Sequence, residues 1–430
     1  MVQGSNRSEL VPNTPQEHQR LTVLAIYGWR EFWSMGEGRG APSFFLSITS
    51  FPKRGHDMHV LMPGRPGCPR EEDYHGVTLH RFRSAVNFMP EPGASKVLQH
   101  LKRLLSYVYW FIRVVPAGKS LASKLGADVV IGMGELGAPA AFRIARATGI
   151  PNVTRLFGIS ALIANRLKFM LRYRETRALT TPADYVILCD DGSQGDRLAR
   201  RLGVDMGRLL FWPNGVDKRL YESPRPSHDF RVELGIPESN RIVLSISRLH
   251  FEKHIERIVR SVPGVAAARD DVTFVIVGSG EERESLERLA DSLGVHDRMV
   301  FTGSVGHEKL PDYYKTADVF VALSDRTNVS NSLHEAMISR LPVVVLNTGR
   351  TADVVQNDEN GILLTPADLP RVHEVILELL ADDERRRVLG ERARASADER
   401  LPTLEERQVM EAEVAERAVR ERASGGGNRT

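Results

Sequence analysis

Short, wholly apolar runs alternate with amphipathic stretches along most of this chain. Leu21–Tyr27 (LTVLAIY) is an apolar run stopped by Gly28, the pattern of a strand buried on both faces. A loop with Gly36, Gly38 and Gly40 follows, then a helical pattern over Ser43–Lys53 closed by Gly55, and a strand signal over His59–Met62. Further strand signals fall at Asp128–Met133, Asn152–Leu156 and Tyr185–Cys189, with a helix over about Pro139–Thr148. Pro213-Asn214-Gly215, Pro224 and Pro226 interrupt the rhythm, which resumes with a strand at Arg241–Ile246 and a helix from His254. Thr273–Val277, Met299–Phe301, Val319–Leu323 and Pro342–Leu346 read as strands, and Glu281–Ser292 and Ser332–Ser339 as helices. This alternation predicts an α/β fold of two doubly wound, Rossmann-like domains facing across a cleft. The expected divisions are a flexible N-terminus (1–20), a first domain (21–205), a linker leading into the second domain (206–240) and a second domain (241–385). Charged helices over 386–423 can pack back on the first domain, ahead of a disordered tail over 424–430. Ligands of such sheets bind beyond the carboxyl ends of the strands, which places the site between the halves.

Composition narrows the class. Cys68 and Cys189 are the only cysteines in 430 residues, too few for a disulfide framework or a cysteine-rich metal site. Met1–Arg20 is polar, unlike a secretory signal, and no apolar stretch reaches the roughly 18 residues of a membrane span. A cytoplasmic protein is expected. The net charge of +3 hides an asymmetry: residues 1–220 hold 30 Lys and Arg against 18 Asp and Glu, leaving 28 against 37 for the remainder. Between Lys96 and Arg174 there are 13 basic residues against Asp128 and Glu135 alone. Such a field suits an anionic partner, or is simply a solvated arginine-rich face. Val97–Val115 and Arg166–Arg177 read as basic, aromatic amphipathic helices, fit for core packing (the preferred reading) or for an anionic membrane. The 13 histidines show no metal-ligand spacing.

The second half carries the chemistry. Ser247-Arg248-Leu249-His250-Phe251-Glu252-Lys253 leaves a strand and enters a helix, so Arg248 and Lys253 can converge on one anion beside a helix N-terminus. A departing diphosphate needs such a clamp. Val277-Gly278-Ser279-Gly280-Glu281 permits tight turning or close backbone approach. The polar loop Ser324–Asn331, with Thr327, feeds a helix start at Ser332 and Leu333 that offers N–H groups to phosphate. Glu335, in the first turns of that helix, is placed to accept hydrogen bonds from a diol.

In this order the pieces resemble the retaining glycosyltransferase family 4, whose GT-B fold joins two Rossmann-like domains. The Gly-Arg-Leu-x-x-x-Lys-Gly pattern of that family stands here as Ser247–His254, and Val-Gly-x-Gly-x-Glu as Val277–Glu281, its glutamate one place early. Phe301-Thr302-Gly303-Ser304-Val305, Glu335-Ala336-Met337, Leu341-Pro342-Val343, Asn214-Gly215-Val216-Asp217 and Asn360-Gly361-Ile362-Leu363 match its other signatures. The resemblance spans about residues 21–390 and implies transfer of a hexosyl group from a nucleoside-diphosphate sugar, with retention of configuration and no metal or other cofactor. Arg248 and Lys253 would hold the diphosphate, Glu335 the ribose, and Gly303 and Val305 the base. Gly278, Thr327, Asn331, Ser332 and Leu333 would complete the donor site, bordered by Gly38 and Gly40 from the first domain. The first domain would receive the acceptor, whether lipid-linked, saccharide or small molecule, with peripheral contact to the inner membrane face as an option.

Three departures stand out. The family pairs its ribose glutamate with a second glutamate eight positions earlier, where this chain has Thr327. Many members have a histidine before a glycine after the fourth strand; here Phe157-Gly158 stands there, with Arg155 as a stand-in. Ser247 and His254 replace the glycines flanking the clamp. These changes motivate a second reading, a nucleotide-sugar-binding subunit without turnover. A dinucleotide oxidoreductase is disfavoured because Gly36, Gly38 and Gly40 lack the fingerprint spacing. No nucleic-acid partner is expected, since charge alone would support one.

Overall fold

A computed structural model describes residues 19–28, 43–64, 67–83, 96–159, 173–223 and 226–425. In the first half, β1 (Thr22–Tyr27), β2 (Asp57–Gly64), β3 (Glu71–Tyr74), β4 (Val77–Arg83), β5 (Val129–Met133), β6 (Asn152–Leu156), β7 (Tyr185–Cys189) and β8 (Leu209–Trp212) form one sheet. Its order is β3-β4-β2-β1-β5-β6-β7-β8, parallel except for the β3–β4 hairpin. In the second half, β9 (Arg241–Ile246), β10 (Val272–Val277), β11 (Met299–Gly303), β12 (Val319–Ala322), β13 (Val343–Leu346) and β14 (Ile362–Leu364) form a parallel sheet. Its order is β11-β10-β9-β12-β13-β14. The apolar runs become central strands because helices cover both faces: every residue of β5 and of β10 is buried. The direction of winding reverses between β1 and β5 and again between β9 and β12, and these switch points put the loop after β9 at the mouth of the cleft.

Two boundaries differ from the expectation. The stretch expected as linker contains β8, which pairs with β7 and extends the first sheet to Trp212. The helix expected to begin at Pro139 starts at Gly134, directly at the end of β5. The C-terminal helices divide between the halves. Asp383–Arg400 packs Ala393 and Ala397 into the core of the second domain. Leu404–Ala423, fixed at its start by a capping box of Thr403 and Glu406, crosses over and packs Ala412, Ala415 and Ala418 against the core strands of the first sheet.

The basic stretch after β4 is a helix, Lys96–Leu125, with Pro116 inside it. Its core face buries Trp110 and Val114 completely, while Leu105, Val108 and Ile112 on the opposite face are 61%, 50% and 64% exposed. Core packing therefore leaves Leu105, Val108 and Ile112 uncovered. Of the second expected helix, the described part runs Tyr173–Thr180; the rest of Arg166–Arg177 lies outside the described residues. Among the described residues no helix is long and apolar enough to cross a membrane.

Candidate active site

The turn leaving β9 is held by the turn leaving β10. Ser247 N–H donates to the Val277 carbonyl (3.1 Å) and Leu249 N–H to the Ser279 carbonyl (2.9 Å). Gly278, at φ +139°, makes this contact possible, because a Cβ there would sit 1.8 Å from the Ser247 carbonyl oxygen. Gly278 thus shapes the clamp turn. Arg248 is exposed on that turn, and Lys253 closes the short 3₁₀ turn Phe251–Lys253. Burial, then the neighbouring Arg248 guanidinium, holds the Lys253 ammonium below its ordinary pKa. Neither side chain has a hydrogen bond or ion pair with a described residue; Glu252, next in sequence, is turned to Arg326 (2.6 Å). Two neighbouring cations, neither in a salt bridge with a described residue, form a site that gains from a bound anion. His254 adopts the left-handed conformation (φ 52°) where the family pattern has glycine, and its ring is gripped by Glu256 (2.8 Å) and Asp325 (3.0 Å).

The helix Asn331–Ile338 points its N-terminus into the same region. Ser330 caps it by accepting from Leu333 N–H (3.3 Å), so the Leu333 amide expected to meet phosphate is already engaged. The Asn331 and Ser332 amides have no acceptor among the described residues, while the Asn331 side-chain oxygen accepts from Asn214 (3.1 Å). Glu335 is only 7% exposed. Tyr314 donates to it (2.9 Å), His307 stands 4.0 Å away, and burial pushes its pKa up to about 7. Gly303 ends β11 and Val305 follows it, beside the clamp turns: Gly278 N–H donates to the Gly303 carbonyl (2.8 Å), and Ser304 meets Ser279 (2.7 Å).

The first domain reaches this region through the loop after β7. Arg350 N–H donates to the Gly192 carbonyl (3.0 Å), and the Gln194 amide to the Gly349 carbonyl (3.0 Å). Gly192 lies so close to Thr327 that a Cβ would meet its hydroxyl at 2.2 Å. Thr327 accepts from Val329 N–H (3.0 Å) and is packed at the junction of the two halves. Gly38 and Gly40 lie outside the described residues. Among the described residues no three His, Cys, Asp or Glu side chains gather as a metal-binding group.

Residues 227–396 match the family described as glycosyl transferases group 1, and residues 48–215 match the glycosyl transferase 4-like domain. The chain belongs to the group 1 glycosyltransferases. It is 30% identical to the D-inositol 3-phosphate glycosyltransferase of Xylanimonas cellulosilytica, over 50% of this chain and 53% of that one. It is 29% identical to the GDP-mannose-dependent alpha-mannosyltransferase of Mycolicibacterium smegmatis, over 74% and 78%. Over several curated relatives, the match spans 39% to 53% of their length. The GT-B fold is shared with Anabaena Alr3699/HepE, solved in complex with UDP and glucose, at a TM-score of 0.67 and 19% identity, covering 93% of this chain and 99% of that one.

In this group 1 glycosyltransferase, Arg155 does not act as the polar stand-in expected of it. It is 2% exposed, donates to Glu411 (2.8 Å) and to the Leu156 carbonyl (2.7 Å), and stacks over Phe157. Arg407, from the same helix as Glu411, lies 2.9 Å from that carboxylate, and burial lowers its pKa to about 10. The trio ties the C-terminal helix to β6 at the rim of the cleft. Sequence reading missed Glu411, Arg407 and the loop after β7, because their partners lie far along the chain and no local motif marks them.

Proposed function

We propose that this chain transfers a sugar from a nucleoside-diphosphate sugar to an acceptor hydroxyl, with retention of configuration and without a metal ion. The observation that carries this reading is Lys253, an ammonium largely withdrawn from water beside Arg248, with no described carboxylate at ion-pair distance. As the bond between the anomeric carbon and the diphosphate breaks, negative charge grows on the leaving group, and a preorganised pair of cations stabilises that charge more than the ground state. The Asn331 and Ser332 amides at a helix start add donors to the same anion. Glu335, in its apolar surroundings, accepts from ribose hydroxyls, with Gly303 and Val305 against the base. The relative named for GDP-mannose, and the structural neighbour holding UDP and glucose, support a nucleotide-sugar donor.

Calorimetric titration with UDP, GDP and their sugars tests this. One nucleotide should bind, and Arg248→Ala should weaken it about 10- to 100-fold, the loss of a charge-assisted contact of about 1.5–3 kcal/mol. A folded Arg248→Ala protein that binds and turns over the donor like the wild type would refute the clamp. Donor binding without transfer or hydrolysis across an acceptor panel would favour the subunit without turnover.

A second feature bears on the acceptor. Leu105, Val108 and Ile112 form an exposed stripe that continues along the same helix to Lys119. There Lys119, Arg143, Arg146 and Arg177 line a groove of about 700 Å³ whose walls hold no carboxylate. Apolar and cationic surface side by side fits peripheral contact with an anionic membrane, and thus a lipid-linked acceptor.

A further inference from the structure

A sugar bound next to the clamp presents hydroxyls that need acceptors once water is excluded. Most carboxylates near Lys253 are already committed. Glu252 pairs with Arg326 (2.6 Å), and Asp325 with Arg257 (2.6 Å) and His254 (3.0 Å). Thr327 Oγ1 is occupied by Val329 N–H. Asp191, on the first-domain loop after β7, is different. Its Oδ1 accepts from the Ser193 amide (3.0 Å) and hydroxyl, which fixes the side chain, and its own backbone amide lies against the carboxylate, while no other described residue donates to Oδ2. Oδ2 lies over Gly158, where a Cβ would come within 2.3 Å of it. The carboxylate is largely buried, close enough to Lys253 to act on it electrostatically, and adjacent to Gly192, which touches Thr327.

We propose that Asp191 is the first-domain residue that binds the transferred sugar, its Oδ2 accepting a hydrogen bond from a sugar hydroxyl across the cleft from Lys253. This rests on the nucleotide-sugar reading above and adds to it the group that selects the sugar. The loop carrying Asp191 is pinned to the second domain by the Gly192–Arg350 and Gln194–Gly349 hydrogen bonds, so the carboxylate is presented only while the halves are together. Opening of the cleft would remove a sugar contact without disturbing the nucleotide contacts of the second domain.

Asp191→Asn retains an oxygen for Ser193 and removes the charged acceptor. With the full chain, calorimetry on UDP and GDP should give affinities within about twofold of wild type. Affinity and kcat/KM for the cognate nucleotide sugar should fall about 10- to 100-fold, the effect of losing a hydrogen bond to a charged group. Asp191→Glu, which keeps the charge but moves it by one methylene, should retain nucleotide affinity and alter the preference among epimeric sugars. Wild-type handling of the nucleotide sugar by folded Asp191→Asn overturns the proposal. An equal loss for nucleotide and nucleotide sugar overturns it too, showing Asp191 to be a support of the clamp. If the wild type binds neither UDP nor GDP, the donor-site reading itself falls, and this proposal with it.

Discussion

Glu335 offers a quantitative test, because its burial has a thermodynamic signature that needs no substrate. With a folded pKa of about 7 against an ordinary 4.5, the folded protein holds this proton more tightly than the unfolded chain does. Below 4.5 the carboxyl is protonated in both states and contributes nothing. Between 4.5 and 7 the native state binds more protons, so stability falls as the pH rises through this window and levels off above it. At about 1.36 kcal/mol per pH unit, the interval amounts to about 3 kcal/mol at pH 8. Glu335→Gln keeps an oxygen for the Tyr314 hydroxyl and cannot ionise, so the variant should gain on the wild type by that amount between pH 4.5 and pH 8. Urea denaturation of both proteins at several pH values measures the difference directly. The same carboxylate must be ionised to accept strongly from ribose, so nucleotide affinity in the wild type should climb over the same pH range and stay flat in the variant. Parallel stability profiles for the two proteins would refute the reasoning, since they would mean that Glu335 is solvated or is neutralised by a cation.

Removing Glu411 should be costly, because Arg155 and Arg407 would be left buried without their carboxylate; Glu411→Ala should lose about 3–5 kcal/mol, read from the urea midpoint. A loss under about 1 kcal/mol would show that water or relaxation replaces the carboxylate. For the exposed stripe, the wild type should cosediment with phosphatidylglycerol vesicles far better than with phosphatidylcholine vesicles, and less so at high salt. Leu105→Glu with Ile112→Glu should abolish this while leaving the melting temperature nearly unchanged; equal sedimentation of wild type and variant would remove the membrane reading.

The parallel strands were legible in the sequence because strands buried on both faces are dominated by apolar residues: β5 and β7 are wholly apolar, and β1, β9 and β10 are broken only by Thr22, by Arg241 and Ser245, and by Thr273. The β3–β4 hairpin was not, because Glu71–Tyr74 is an edge strand of polar residues exposed at alternate positions. Strand β8 was hidden by the proline-rich stretch that follows it. At the site, Arg248, Lys253 and Glu335 could be read locally, since one turn or one helix positions each of them. The state of Arg155 could not, because its partner Glu411 lies 256 residues away and only the crossing helix brings them together. Asp191 carries no motif; its meaning comes from Gly158 and Thr327, each on a different element.

The crossing of the helix Leu404–Ala423 also has a consequence for biogenesis. The first domain leaves the ribosome early, yet Ala412, Ala415 and Ala418, which complete its core, are made about two hundred residues after β8. Until they arrive, one flank of an apolar sheet is uncovered, a surface that chaperones and neighbouring nascent chains recognise. Maturation of the N-terminal half therefore waits on translation of the C-terminal half, and a ribosome stalled within the second domain would release an aggregation-prone fragment rather than an independently folded domain.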